Sequence, residues 1–125
     1  MRICVTATGS NLESDVDPRF GRCEYFIVVD PATLEFKAEQ NTGISASGGA
    51  GVQAAQKVSQ LGVDAVITGS VGPNAFQVLQ AAGIKVYTGA SGKVRDAVKK
   101  FIENKLQTAS GPTSAAHAGM RAGRR

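Results

Sequence analysis

The sequence predicts one α/β domain: three antiparallel strands, then alternating helices and strands, in the order β-β-β-α-β-α-β-α. Three observations predict it. Ile3-Cys4-Val5-Thr6-Ala7 and Tyr25-Phe26-Ile27-Val28-Val29 are short apolar runs of strand length. Leu34, Phe36 and Ala38 alternate with Glu35, Lys37 and Glu39, the period of a half-exposed edge strand. From residue 50 the apolar spacing becomes helical, and two similar segments separate the helices. These are Gly62-Val63-Asp64-Ala65-Val66-Ile67-Thr68-Gly69 and Gly83-Ile84-Lys85-Val86-Tyr87-Thr88-Gly89, each a helix stop, a strand and a glycine turn.

Each element has its own signal. The first strand runs into a long loop, residues 9–23. Asp30-Pro31-Ala32-Thr33 is a turn between the second and third strands. Ser45-Ala46-Ser47-Gly48-Gly49-Ala50-Gly51 leads into the first helix, with Ala54, Ala55, Val58 and Leu61 inward. Gly62 stops it as a left-handed cap. Pro73 suits the first turn of the second helix, with Phe76, Leu79 and Ala82 inward and Gly83 as the stop. The third helix carries Val94, Ala97, Val98, Phe101 and Ile102 at helical spacing. After residue 106 the composition shifts to Ala, Ser, Gly, Thr and Arg. The expectation is a domain over residues 1–106 and a flexible basic tail over 107–125.

Topology decides where a site lies. With the first strand pointing up, the meander sends the second down and the third up, and each helix returns the chain downward. Loops 9–23, 41–50, 69–73 and 89–92 then share the top edge, where all three helices begin. Helix N-termini expose unpaired N–H groups and the positive end of the dipole, and glycine lets a ligand approach the backbone. Arg19 and Arg22 add full charges to that edge. The expectation is an anion site.

Bulk properties narrow the function. All ten acids and eleven of the fourteen bases precede residue 106, so the body is nearly neutral and the pI near 9.3 owes much to Arg121, Arg124 and Arg125. A nearly neutral body is a weak case for nucleic-acid binding, which needs a clustered basic face, although a short basic tail adds nonspecific attraction. Cys4 and Cys23 are far apart and form neither a disulfide framework nor a zinc ribbon. With no signal peptide and no membrane-length apolar run, the expectation is a cytoplasmic protein. The lone histidine, His117, falls in the tail, so no nucleophile–base pair is in view and no enzyme is expected.

Three stretches carry a family resemblance. They are Asp17-Pro18-Arg19-Phe20-Gly21-Arg22-Cys23-Glu24-Tyr25-Phe26, Gly48-Gly49-Ala50-Gly51, and Gly69-Ser70-Val71-Gly72-Pro73-Asn74-Ala75-Phe76. In that order, over residues 1–105, the chain resembles the dinitrogenase iron–molybdenum cofactor-binding family. That family includes nitrogenase cofactor carriers and small free-standing members of the orange-protein kind. The resemblance implies a ribonuclease H-like fold, a five-stranded mixed sheet of order 3-2-1-4-5 with helices on both faces. It also implies noncovalent binding or carriage of an anionic metal–sulfur cluster of iron–molybdenum or molybdenum–copper type. Nuclease activity is not implied, because the first strand lacks the carboxylate that such an enzyme needs. Some nitrogenase-associated members carry a histidine just before the Phe-Gly pair. Arg19 stands there in this chain, which favours electrostatic capture over an imidazole–metal bond.

The candidate contacts are Arg19, Phe20, Gly21, Arg22, Gly48, Gly49, Gly51, Gly72 and Asn74, with Cys23 as the candidate metal ligand. Several have two readings. Arg19 and Arg22 are anion contacts or solvated loop charges. Phe20 lines a pocket or plugs the core. Cys23 ligates a soft metal or fills space as a small hydrophobe. The glycine run approaches a ligand or only makes a turn, and Asn74 donates to a ligand or caps its helix. Cys4 reads as core, and Asp15 and Asp17 read as turn formers. The competing function is a regulatory module binding a nucleotide or phosphate metabolite at the same edge, although no Walker lysine follows the glycines. Cluster donor or acceptor proteins are the expected partners, and the chain is expected to be a monomer or weak homodimer.

Overall fold

The apolar runs become strands because both faces of one sheet are covered. In the computed structural model, which describes residues 1–42 and 49–109, the elements are β1 (Ile3–Ala7), β2 (Tyr25–Val29), β3 (Phe36–Gln40), α1 (Ala50–Gln60), β4 (Ala65–Ile67), α2 (Pro73–Ala81), β5 (Lys85–Thr88), α3 (Val94–Ile102) and β6 (Gln107–Thr108). A single 3-10 turn, Phe20–Arg22, precedes β2. The order across the sheet is β3-β2-β1-β4-β5-β6. β1 pairs antiparallel with β2 and parallel with β4, β2 pairs antiparallel with β3, and β4 pairs parallel with β5. The expected meander and the 3-2-1-4-5 order are therefore present within this sheet.

The sheet has six strands, which corrects the expectation of five. β6 pairs antiparallel with β5, Tyr87 opposite Thr108, and Ala109 N donates to Val86 O at 2.7 Å. Its two residues are polar and exposed, so backbone pairing alone makes the strand and no periodicity announces it. Gly48, the rest of residues 43–48, residues 110–125 of the expected tail and His117 lie outside the described residues.

Burial splits between two faces. Cys4, Phe26, Ala54, Val58, Val66 and Leu79 belong to the core under α1 and α2. Ile3, Val5, Ile27, Val29, Val94 and Val98 form the other core, under α3. All five residues of β1 are buried, as a central strand covered on both sides requires.

Three inward assignments change. Ala82 is exposed on the cap beyond α2, and Ala75 is buried in its place. Ile102 is exposed at 52%, because it lies about 80° around the helix from Val94, at the margin of the apolar stripe. Phe36 is 43% exposed, while Leu34 packs against the core under α3 as expected but has φ 65, outside the extended region, so β3 begins only at Phe36.

Candidate functional site

The loop between β1 and β2 is fastened to the sheet at its middle. Asp17 N donates to Thr6 O at 2.9 Å, and Thr6 Oγ1 donates to Asp17 O at 2.7 Å while lying 2.8 Å from Thr68 Oγ1. The next residues zip to the turn after β4. Ser70 N and Ser70 Oγ donate to Pro18 O at 2.8 and 3.1 Å, and Phe20 N donates to Ser70 O at 3.3 Å. A Cβ on Gly69 would fall 2.5 Å from Pro18 Cα, so this contact needs glycine. Ser70 is a site residue that the sequence reading passed over, since only the zip to Pro18 marks it.

Phe20 ends the loop's descent into the core. It is 2% exposed and packs on Phe26 with ring centroids 6.2 Å apart. It plugs the core and also forms part of a cleft floor. The 3-10 turn then rests on the start of α1. A Cβ on Gly21 would lie 2.7 Å from Gly51 Cα and 2.8 Å from Gly51 N. Asn41 Nδ2 holds the far end of the turn, donating to Cys23 O at 2.8 Å and Gly21 O at 3.3 Å.

Between this turn and the starts of α1 and α2 lies an open cleft of about 420 Å³. Arg19, Phe20, Gly21, Arg22, Gly49, Gly51, Gly72 and Asn74 all line it, joined by Ala50, Val52, Ser70, Pro73 and Ala75. Among the described residues neither helix has a side-chain cap: the N-cap residues are Gly49 and Gly72. The first-turn N–H groups of α1 and α2 thus have no intrahelical partner beside the cleft. Asn74 is not the cap of α2, because it follows Pro73 inside the helix. Gly51 stands where the two helices approach, and a Cβ on it would touch Ala75 Cβ at 3.4 Å.

The third helix does not contribute. Val94 N donates to Ser14 O at 2.8 Å and Arg95 N to Leu12 O at 2.9 Å, so carbonyls of the long loop occupy the start of α3. Loop 89–92 and α3 therefore lie apart from the cleft. The expected convergence of three helices reduces to two.

The arginines differ in their surroundings. Arg19 is held by Asp17: its backbone N donates to Asp17 Oδ1 at 2.9 Å, Nε to Oδ1 at 3.2 Å and Nη2 to Oδ2 at 3.3 Å. Asp17 is a turn former, as expected, but it is also buried, with 2% of its side chain exposed against 66% for Arg19. The hydrogen bond and the opposite charge raise the Arg19 guanidinium pKa further. Asp17 offsets part of the Arg19 charge, which moves the weight of anion attraction toward the helix N-termini. Arg22 is exposed on the cleft rim.

Cys23 lies in the core under α1 and α2, with no exposed surface and outside the cleft lining. Its Sγ donates to Phe20 O at 3.3 Å. Burial, then the charge of Asp17, push the thiol up to about 12, so without a metal beside it the group stays protonated at neutral pH. Cys4 is likewise buried core. Among the described residues no group of three or more His, Cys, Asp or Glu could hold a metal ion. The cleft offers N–H donors and guanidinium groups instead, the chemistry of an anion receptor.

Most of the chain has counterparts among known proteins. A family model described as dinitrogenase iron-molybdenum cofactor matches residues 1–104. The solved apo form of the orange protein from Desulfovibrio gigas is 48% identical, with a TM-score of 0.86, covering 89% of this chain and 94% of that one. A Thermotoga protein solved by NMR is 37% identical with a TM-score of 0.75, covering 86% of this chain and 91% of that one. An uncharacterised protein of Methanocaldococcus jannaschii is 34% identical over 95 residues, which is 74% of this chain and 80% of that protein.

Proposed function

The chain belongs to the dinitrogenase iron–molybdenum cofactor family, and from that membership we propose that its cleft binds or carries an anionic metal–sulfur cluster. One observation carries the reading: the glycine-started N-termini of α1 and α2 meet at the arginine-bearing turn around a cleft of about 420 Å³. That volume falls within the roughly 300–1,000 Å³ of small-ligand sites. Backbone N–H groups would donate to the cluster's sulfur atoms, which are acceptors. Arg22 and the outward part of Arg19 would balance its charge. Glycine at residues 49, 51 and 72 leaves the backbone open to an approach that side chains would block.

The lining favours a cluster held through its sulfurs over one bonded through its metals. The cluster is cargo in this reading, of iron–molybdenum or molybdenum–copper type, received from or passed to other proteins. No catalytic step is part of the proposal. A ribonuclease H-like relationship belongs to the same reading, supported by the strand order 3-2-1-4-5 inside the observed sheet.

Anaerobic mixing with copper and tetrathiomolybdate tests the proposal. The expected result is a coloured complex that stays with the protein through gel filtration and raises its melting temperature, as a ligand of the native state must. In the Arg19→Ala, Arg22→Ala double variant binding is weakened and less colour stays with the protein. Failure of copper–thiomolybdate and of iron–molybdenum–sulfur clusters to associate, together with stabilisation by ATP or phosphate, would transfer the site to the nucleotide or phosphate reading.

A further inference from the structure

β3 ends the sheet on the side away from β6, and among the described residues no strand pairs with its outer edge. Two hydrogen bonds fix which backbone groups face that edge. Asn41 N donates to Glu24 O and Asp30 N donates to Glu35 O, both at 2.9 Å, so residues 35 and 41 point toward the β2 side. Backbone direction alternates along a strand. Lys37 and Glu39 therefore also bond toward β2. Phe36, Ala38 and Gln40 turn their N–H and C=O groups outward.

We propose that this edge pairs with β3 of a second copy of the chain, antiparallel and two-fold, centred on Ala38. The proposal is independent of the ligand reading. In this register the outward residues form the hydrogen-bonded pairs: Ala38 faces the partner's Ala38 and Phe36 faces the partner's Gln40. Lys37 and the partner's Glu39 then form a non-hydrogen-bonded pair, the closer kind, and symmetry makes it twice. Moving the centre by one residue sets Lys37 against the partner's Lys37, or Glu39 against the partner's Glu39. The Ala38 register pairs all five residues of β3 and opposes unlike charges.

The side chains suit this partner. Lys37 is 79% exposed and now bonds within its own strand, Nζ to Glu39 Oε2 at 3.3 Å. Lys57 of α1 stands 3.9 Å from Glu39 Oε1 on the same face, so Glu39 meets cations from its own strand and from α1. On the other face Phe36 leaves apolar surface open at 43% exposure. A lone lysine on an edge strand discourages pairing. Here the glutamate two residues later reverses that effect for a copy in this register. One five-residue strand pair buries less than the roughly 1,200 Å² of stable complexes, so the association is weak and depends on concentration.

Charge reversal tests it. Sedimentation is measured on the whole chain from micromolar to millimolar for wild type, Lys37→Glu, Glu39→Lys and the double swap. All the changes lie on an exposed strand. Each single variant is expected to weaken self-association by roughly tenfold, by placing like charges opposite each other. The double swap restores association, and the two single variants mixed together form a heterodimer. Amide exchange supplies a second readout: Phe36, Ala38 and Gln40 gain protection as concentration rises. Single variants that associate like wild type, wild type that stays monomeric at millimolar concentration, or edge protection that ignores concentration would each overturn the proposal.

Discussion

Gly21 has no room for a side chain, because a Cβ there would meet the Gly51 backbone at 2.7 and 2.8 Å. Both partners are main chain at the start of a helix and cannot swing aside. Gly21→Ala should cost about 1–3 kcal/mol of stability, read as a lower denaturant midpoint at unchanged slope. Cys23 makes a pH prediction. Its thiol titrates near 9.0 ordinarily but only near about 12 in the folded protein. Between those values the unfolded chain binds fewer protons than the folded one, so stability falls as pH rises from 9 to 12. Burial acts with the same sign on Cys4. A Cys23→Ala variant should lose less stability than wild type over that window in denaturant titrations, and an equal loss would contradict the assignment of Cys23 to the protonated core.

Helix starts carry the cleft, and Gly51 separates their structural from their functional demand. Alanine favours the first turn of α1 by up to about 1 kcal/mol over glycine, and its Cβ would touch Ala75 at 3.4 Å without penetrating it. Gly51→Ala should keep or raise the melting temperature and still weaken cluster binding severalfold, because the added methyl adds bulk at a residue that lines the cleft. Unchanged binding would make the glycine a packing residue only. Most of these elements were legible in the sequence. β1 and β2 have the residue ranges expected, since buried central strands are unbroken apolar runs. Pro73 and Gly83 bound α2 as predicted. What escaped has physical causes. β6 is made by backbone pairing and has no side-chain pattern. The start of α3 is filled by Leu12 and Ser14 carbonyls that are remote in sequence, so it resembled the other two helix starts until the loop's path was known. The pairing of buried Asp17 with Arg19 was hidden in the same way, because an Asp-Pro-Arg turn does not reveal that its carboxylate faces the protein.

At the scale of the molecule, one sheet separates two cores and places the cleft at the top of the α1/α2 side. Four strands point their C-terminal ends, directly or through a turn, toward that edge. The plain turns after α1 and α2 sit at the other end, where Gly62 and Gly83 adopt φ 71 and 77. The eight described lining residues among those expected came from loops far apart in sequence, and only strand direction joined them. Among the described residues no helix is long and apolar enough to cross a membrane. In the proposed complex, backbone N–H groups of two helix starts cradle the cluster. Amide chemical shifts during anaerobic titration with copper–tetrathiomolybdate read those groups directly. Ala50, Gly51, Val52, Asn74 and Ala75 should move most, together with the Phe20–Arg22 turn, while the amides at the start of α3 stay still. Shifts centred on α3, or no shifts at saturating ligand, would contradict that cradle.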